Sequence, residues 1–445
     1  MDRTVEKISP RKAALRVLDR VDGGAYADIV LDKELHGLGT ADAALATEIV
    51  YGVLRWRIRL DWLIDSVSTI KARRLERSVL NALRIGVYQL LFLDRVPPSA
   101  AINESVKLVK SGGRRKTGFV NAVLRKADAE RGLKPLLSEI GPAQYLSVEC
   151  SHPVWLVERW VARYGAAEAE ELCRANLVPP PKTLRTNTLI KTREALIKEL
   201  AAEGVEAVKT RFSPAGIEAV SGAVAARDKR FYIQDEASQL IAPLLSPAPG
   251  ETVLDACSAP GGKTTHLAEL MGNKGRVYAL ERHAGRLKSV AAAAKRLGIT
   301  IIETMEADST GPLPFAPGTS FDAILCDAPC TGLGVLGRSP DIKYRRTELD
   351  IIESGERQKR LLGNLAGYLK AGGRMVYSVC SFEPEETDAV VKDFLGNRND
   401  FVLEGAGGYV PEECSALVDG PGFLRTYPHR HRMDGFFAAR LKKIS

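Results

Sequence analysis

The chain has 445 residues, 63 Lys and Arg against 55 Asp and Glu, a net charge of +8 and an apolar fraction of 45%. That is room for two or three domains with cores of their own and the composition of a globular protein, and no apolar run approaches the roughly 18 residues a membrane-spanning helix needs. The charged N-terminus lacks the apolar stretch of a secretory signal, and seven cysteines without zinc-type pairs argue for reduced thiols in a cytoplasmic protein, against a disulfide framework.

Charge is unevenly placed. Residues 1 to 140 hold 25 Lys and Arg against 17 Asp and Glu, and the remainder is balanced. A basic segment joined to a neutral one suggests a polyanion-binding module beside a catalytic one, because neutralising phosphates releases counterions and gives affinity without sequence preference.

Residues 8 to 135 read as all helix. Ala13, Ala14, Leu15, Val17, Leu18 and Val21 have helical spacing, as do Ile49, Val50, Val53 and Leu54, and Leu83, Val87, Leu90 and Leu91 form another apolar face. Pro97-Pro98 ends that helix, and Ser99 is expected to cap the next, which carries Ile102, Val106 and Val109. The basic stretch Ser111 to Lys116 reads as a loop leading into a helix at Phe119. Its cations beside a helix start are the expected phosphate contacts.

The runs ATEIVYGVLRWRIRLDWLI, LRIGVYQLLFLDRVPPSAAINESVKLVK and GFVNAVLRK resemble the NusB-type helical domain, an RNA-binding module of antitermination factors. The resemblance implies an all-α RNA-binding domain over residues 1–140. A helical connector, 141–180, is expected next, with Trp155, Leu156 and Trp160 as packing groups rather than base-stacking platforms. After the triple proline at 179 to 181, Thr183 to Asn187 reads as a strand, Thr192 to Gly204 as a helix and 205 to 232 as short strands, giving a small α+β subdomain over 181–235.

From 236 to 445 strands and helices alternate as in a doubly wound, Rossmann-like sheet. Thr252, Val253 and Leu254 form a buried strand ending at Asp255, and Pro260-Gly261-Gly262 turns into an amphipathic segment, His266 to Met271. A phosphate-binding loop fails here because Cys257 stands where its first glycine must be, and a dinucleotide fingerprint fails for want of a third glycine. What fits is an adenosine-type ligand with no phosphate to cradle, and S-adenosylmethionine meets that description. The alternative is a structural turn of any α/β domain.

The second strand, Arg276 to Leu280, ends at Glu281, which can accept both ribose hydroxyls. The third, about Thr300 to Met305, leads to Asp308, which can accept from an adenine amino group. The fourth strand, Phe321 to Cys326, runs into Asp327-Ala328-Pro329-Cys330. The fifth, Gly373 to Ser378, runs into Val379-Cys380-Ser381 and Pro384-Glu385-Glu386. Both thiols are expected to face the cofactor crevice. Carbon 5 of a pyrimidine is not nucleophilic, and a thiolate added to carbon 6 makes it so. Asp327 is expected to support the charge that develops at ring N3.

The motifs DACSAPGGKT, DAPCTGLG and YSVCSFEPEE resemble those of RsmB/Sun-type RNA cytosine-5 methyltransferases, and the chain is similar to that family over essentially its whole length. The resemblance implies an S-adenosylmethionine-dependent enzyme acting on one cytosine of small-subunit (16S) ribosomal RNA, without a metal or membrane partner and expected as a monomer. It makes Cys380 the nucleophile, with Cys330 assisting product release, and assigns cofactor contacts to Cys257, Ser258, Ala259, Pro260, Gly261, Gly262, Lys263, Glu281, Asp308 and Asp327. Pro428-His429-Arg430 and Asp434 to Phe437 match the family's closing hairpin, against a metal role for His429 and His431. Cys150, Cys173, Cys326 and Cys414 read as structural.

The chain departs from the family pattern at Val379, Thr387 and Arg338, where Thr, Asn and an arginine pair are common. Pro329-Cys330 alone makes Cys330 a rival nucleophile, because DNA cytosine-5 methyltransferases use a proline-cysteine motif. A transfer RNA methyltransferase of the same chemistry and a non-catalytic RNA-binding assembly factor are the alternative functions.

Overall fold

A computed structural model describes residues 8–136, 140–225 and 227–444. Most of the charged N-terminal stretch, residues 1–7, lies outside them. Contacts divide the chain into two compact units. One runs to Val178 and includes Leu336–Arg345, and the other comprises Pro179–Val335 and Arg346–Ser445.

The first unit is helical: α1 Pro10–Val21, α2 Ala27–Glu34, α3 Thr40–Val67, α4 Arg77–Phe92, α5 Pro98–Leu108, α6 Gly113–Ala129, α7 Pro142–Glu149, α8 Val154–Tyr164 and α9 Ala166–Ala175. The periodic apolar positions of α1, α3, α4 and α6 meet in one core, including Val17, Ile49, Val53, Leu83, Val87 and Leu124. Gly52 permits the close approach of α3 to α4, since a Cβ there would lie 1.9 Å from the Tyr88 ring. Leu156 and Trp160 are fully buried, as packing groups should be.

Two boundaries differ from expectation. Ser99 does not cap α5, because Pro98 occupies its first position and Pro97 stands outside with no side-chain cap; a proline is pre-organised there and loses no hydrogen bond. The stretch at 111 to 116 is also less of a loop than its glycines suggest. Gly113 takes φ +82 and α6 starts at once, so Arg114 and Arg115 project from its first turn, both exposed.

The second unit begins with a four-stranded antiparallel sheet of β1 Thr183–Thr186, β2 Glu206–Lys209, β3 Gly216–Ser221 and β4 Phe231–Ile233, in the order β2-β3-β1-β4. Helix α10, Arg193–Ala202, packs Leu196 and Leu200 onto Leu184, Ile217 and Phe231. Short helices α11, Glu236–Gln239, and α12, Ile241–Leu245, lead into the large sheet.

There the chain runs β5 Thr252–Asp255, α13 Gly262–Leu270, β6 Arg276–Glu281, α14 Ala284–Leu297, β7 Ile302–Glu306, β8 Phe321–Asp327, α15 Glu348–Ala366, β9 Leu369–Val379, α16 Asp388–Gly396, β10 Phe401–Glu404, β11 Leu424–Thr426, α17 Pro428–His431 and β12 Phe436–Lys443. The strand order is β10-β12-β9-β8-β5-β6-β7, with β11 beside β12. Strands β5 to β9 pair in parallel and β12 is antiparallel to β9. This is a Rossmann-like sheet with an antiparallel margin. Helix α13 starts at Gly262, four residues ahead of the expected His266, because the glycine turn passes straight into it.

From β5 the chain steps outward to β6 and β7, then returns to place β8 on the other side of β5. A crevice opens where strand order reverses, outside the carboxyl ends of β5 and β8.

Arg185 of β1 is wholly buried and holds the small sheet to the start of α13. Its guanidinium donates to both Glu269 oxygens at 2.8 and 3.1 Å, to the Gly262 carbonyl at 2.5 Å and to Thr265 Oγ1 at 2.9 Å. Burial pushes the Glu269 carboxyl up even with that guanidinium beside it. Removing one partner of a buried pair strands the other's charge. Arg185→Met should therefore lower the free energy of unfolding by about 3 to 5 kcal/mol in urea titrations, and Arg185→Met with Glu269→Met should recover much of the loss. An unchanged midpoint in the single variant would contradict this.

Candidate active site

The loop after β5 is shaped from behind by Asp255. Its carboxylate accepts from Thr264 Oγ1 at 2.7 Å and from the Cys257 amide at 3.3 Å, joining the two ends of the loop. Burial, and then the charge of Asp327, raises the Asp255 carboxyl to about 7. The Ser258 amide and hydroxyl both donate to the Leu280 carbonyl, at 2.8 and 3.0 Å, so this hydroxyl ties the loop to β6 and serves the loop's shape. The Ala259–Pro260 peptide is cis. Gly261 takes φ +106, and a Cβ on it would lie 3.1 Å from Val290 Cα of α14.

No side chain caps α13, whose N-cap is Gly261 itself. Its first-turn amides and the positive end of its dipole are thus suited to a carboxylate, such as that of an amino-acid moiety.

Beside this loop lies a cleft lined by Cys257, Glu281, Arg286, Asp308, Pro329 and Leu361, among others. Glu281, closing β6, accepts from the His283 amide at 3.1 Å and lies 3.3 Å from the Arg286 guanidinium. Arg286 is 58% exposed and also donates to the Ala259 carbonyl at 3.3 Å. Asp308 accepts from the Thr310 amide and hydroxyl, at 2.9 and 2.7 Å, through Oδ1. These bonds hold its carboxyl below the usual range and aim it. Two acceptors beside the apolar faces of Pro329 and Leu361 suit a ribose and an adenine. Burial keeps the Cys257 thiol protonated, well above its ordinary value.

Across the strand reversal lie the thiols. Parallel pairing sets Asp327 of β8 opposite Ser378 of β9, so the segments following the two strands rise side by side. Cys330 Sγ and Cys380 Sγ are 3.1 Å apart. The shared hydrogen bond with Cys380, burial, and the charges of Cys380 and Glu386 raise the Cys330 thiol well above its ordinary value. Asp327 accepts from Ser378 Oγ at 2.7 Å and pairs with Lys263 Nζ at 2.8 Å. Lys263 also stands 4.9 Å over the Phe436 ring, which links cofactor loop, acid and closing hairpin.

Sequence reasoning missed the group that holds the two cysteine segments together. Glu386, fully buried, accepts from the Thr331 amide at 2.8 Å, the Thr331 hydroxyl at 2.5 Å and Gln358 Nε2 at 3.2 Å. Ser381 bonds it as well. Thr331 adjoins Cys330 and Ser381 adjoins Cys380. Gln358 also donates to the Pro329 carbonyl at 3.0 Å. The Pro384-Glu385-Glu386 run pointed to the right residue without giving it a role, and Gln358 sits mid-helix in no motif. Cys150, Cys173, Cys326 and Cys414 are buried free thiols, consistent with packing.

The Rossmann-like sheet thus carries the acceptors Glu281 and Asp308 on one side of its reversal and a pair of thiols on the other. Sequence profiles match in chain order: the NusB family over residues 8–129, the RsmF/B-like ferredoxin-like domain over 152–224, and the 16S rRNA methyltransferase RsmB/F over 242–442. A Bacillus subtilis protein named probable ribosomal RNA small subunit methyltransferase B is 37% identical, with 99% of this chain and 100% of that one aligned. The Pseudomonas putida ribosomal RNA small subunit methyltransferase B is 35% identical, over 98% and 99%. Among solved structures, PH0851 matches with a TM-score of 0.81 at 29% identity, covering 98% of this chain and 99% of that one. NSun6 from Pyrococcus horikoshii with SFG matches with a TM-score of 0.59 at 25% identity, covering 66% and 98%. The chain belongs to the ribosomal RNA small subunit methyltransferase B family.

The raised Asp255 carboxyl has a sign that can be checked. In the folded protein it binds its proton up to about 7, against 3.8 for the free side chain. Its contribution to stability is therefore complete below pH 4 and is lost as pH rises to 7. Between pH 5 and pH 8 the wild type should lose about 3 kcal/mol relative to Asp255→Asn, read from urea unfolding at each pH. Parallel stability curves would refute it.

Proposed function

We propose that this protein methylates carbon 5 of a cytosine in small-subunit ribosomal RNA through a covalent bond between Cys380 and carbon 6. The observation that carries this reading is the 3.1 Å separation of the Cys330 and Cys380 sulfurs, beside a cleft suited to a nucleoside cofactor. Two thiols so close can both address one pyrimidine ring. The names of the relatives supply the ribosomal substrate.

The Cys380 thiolate adds to carbon 6, and Asp327, paired with Lys263, steadies the proton and charge gathering at ring N3. Bound S-adenosylmethionine would supply an electrophilic methyl group to carbon 5 and leave as S-adenosylhomocysteine, and Lys263, the first-turn amides of α13, Glu281 and Asp308 would hold it in place. Carbon 5 then gives up its proton to a base, the sulfur–carbon 6 bond breaks and Cys380 regains its electron pair. Cys330, its sulfur 3.1 Å from that of Cys380, faces this elimination and assists it.

The assignment is tested by trapping. Incubated with RNA substrate and S-adenosylmethionine, Cys330→Ala should accumulate an enzyme–RNA adduct stable on a denaturing gel, and Cys380→Ala should form none. The reverse pattern would make Cys330 the nucleophile. Wild-type turnover in both variants would remove the thiols from the mechanism.

A further inference from the structure

A second concave site lies within the Pro179–Ser445 portion of the chain, away from the cofactor cleft. It is a cleft of 320 Å³ between the end of β2 and the turn around α17. Lys209, Arg211, Arg430 and Arg432 line it, as do Glu218, Asp235 and Glu236.

Lys209 pairs with Glu194 at 2.6 Å, and the two buried acids brace the main chain of the cleft walls. Glu236 is buried and accepts from the Phe212 and Ser213 amides at 2.5 and 2.9 Å, which fixes the segment carrying Arg211. Asp235 is buried and accepts from the Asp434 amide at 3.1 Å, which fixes the segment carrying Arg432. Arg432 is held at φ +57, a left-handed conformation uncommon away from glycine. Both arginines are exposed, and among the described residues neither has a carboxylate in ion-pair range. Burial, and then Arg430, His429 and Arg211, lowers the His431 imidazole to about 4.

The cleft is also wired to the nucleophile. Next to Asp434, the Gly435 amide donates to the Gly334 carbonyl at 2.7 Å, and the Gly334 amide donates to the Cys380 carbonyl at 3.0 Å. Two unpaired guanidiniums on walls fixed by buried acids, two hydrogen bonds from the reactive cysteine, suit successive phosphodiesters of a single strand.

We propose that Arg211 and Arg432 grip the RNA backbone beside the target cytosine and so deliver that base to Cys380. This rests on the RNA reading above and adds to it a binding site outside the helical domain. The grip is electrostatic and precedes chemistry, so it belongs in KM and in salt dependence, with kcat untouched.

The test pairs Arg211→Ala/Arg432→Ala with a control that removes equal charge elsewhere in the same unit, Lys274→Ala/Arg276→Ala. Binding of a fluorescent transcript of small-subunit ribosomal RNA is titrated from 50 to 200 mM salt, and methyl transfer is assayed separately. The cleft variant should show a slope of log affinity against log salt shallower by about 1 to 2. Its KM for RNA should rise about tenfold or more, with kcat and S-adenosylmethionine affinity unchanged, while the control stays near wild type. A cleft variant with wild-type slope and KM would overturn the proposal, as would equal losses in the control. A wild type that binds the transcript and never methylates it would instead defeat the methyltransfer reading, and the binding slopes would still decide the cleft.

Discussion

The parallel pairing of β8 with β9, with Asp327 opposite Ser378, is the constraint on which the chemistry depends. A shift of one residue would turn every side chain of one strand to the other face of the sheet. Asp327 would lose Ser378, and the two cysteine segments would leave the sheet edge on different faces. The register is secured by buried runs that are apolar except for Ser378, Ala323 to Cys326 in β8 and Met375 to Val379 in β9, as parallel strands require. Position in the sheet does the rest, since β8 borders the strand reversal where a ligand can enter.

Around that edge the protein uses buried polar groups as clamps. Asp255 closes the cofactor loop, Glu386 ties Thr331 to Ser381, and Arg185 fastens the small sheet to α13. Each opposes burial, which raises the Asp255, Glu269 and Glu386 carboxyls. Apolar substitutes would fill the same space more cheaply, but no apolar group fixes both ends of a loop with directional bonds. The cost is repaid in position, which the proposed covalent mechanism needs to within fractions of an ångström.

The sequence was most legible where structure is local. A glycine turn between an apolar run and an amphipathic one announces strand, loop and helix, and the acidic residues closing the next two strands follow the same logic. The helical half was legible because the spacing of Leu83, Val87 and Leu90 repeats every turn. Boundaries were harder: β9 begins at Leu369, four residues before the expected Gly373. Glu386, Gln358 and Arg185 were illegible in another way. Their partners lie many residues distant, and a lone Gln within a helix looks the same whether it faces water or a catalytic loop. Cys330 and Cys380 could be named from motifs, but their meeting at 3.1 Å is a property of strand order that no local pattern encodes.

The central claim, that this fold carries out cytosine methylation on small-subunit ribosomal RNA, is most directly tested by bisulfite sequencing of total RNA from cells with and without the gene. The account predicts that one cytosine of small-subunit ribosomal RNA, protected in the parent, becomes convertible in the deletion strain and is protected again by the wild-type gene but not by Cys380→Ala. Loss of protection in a transfer RNA alone, or no change at any cytosine, would contradict it.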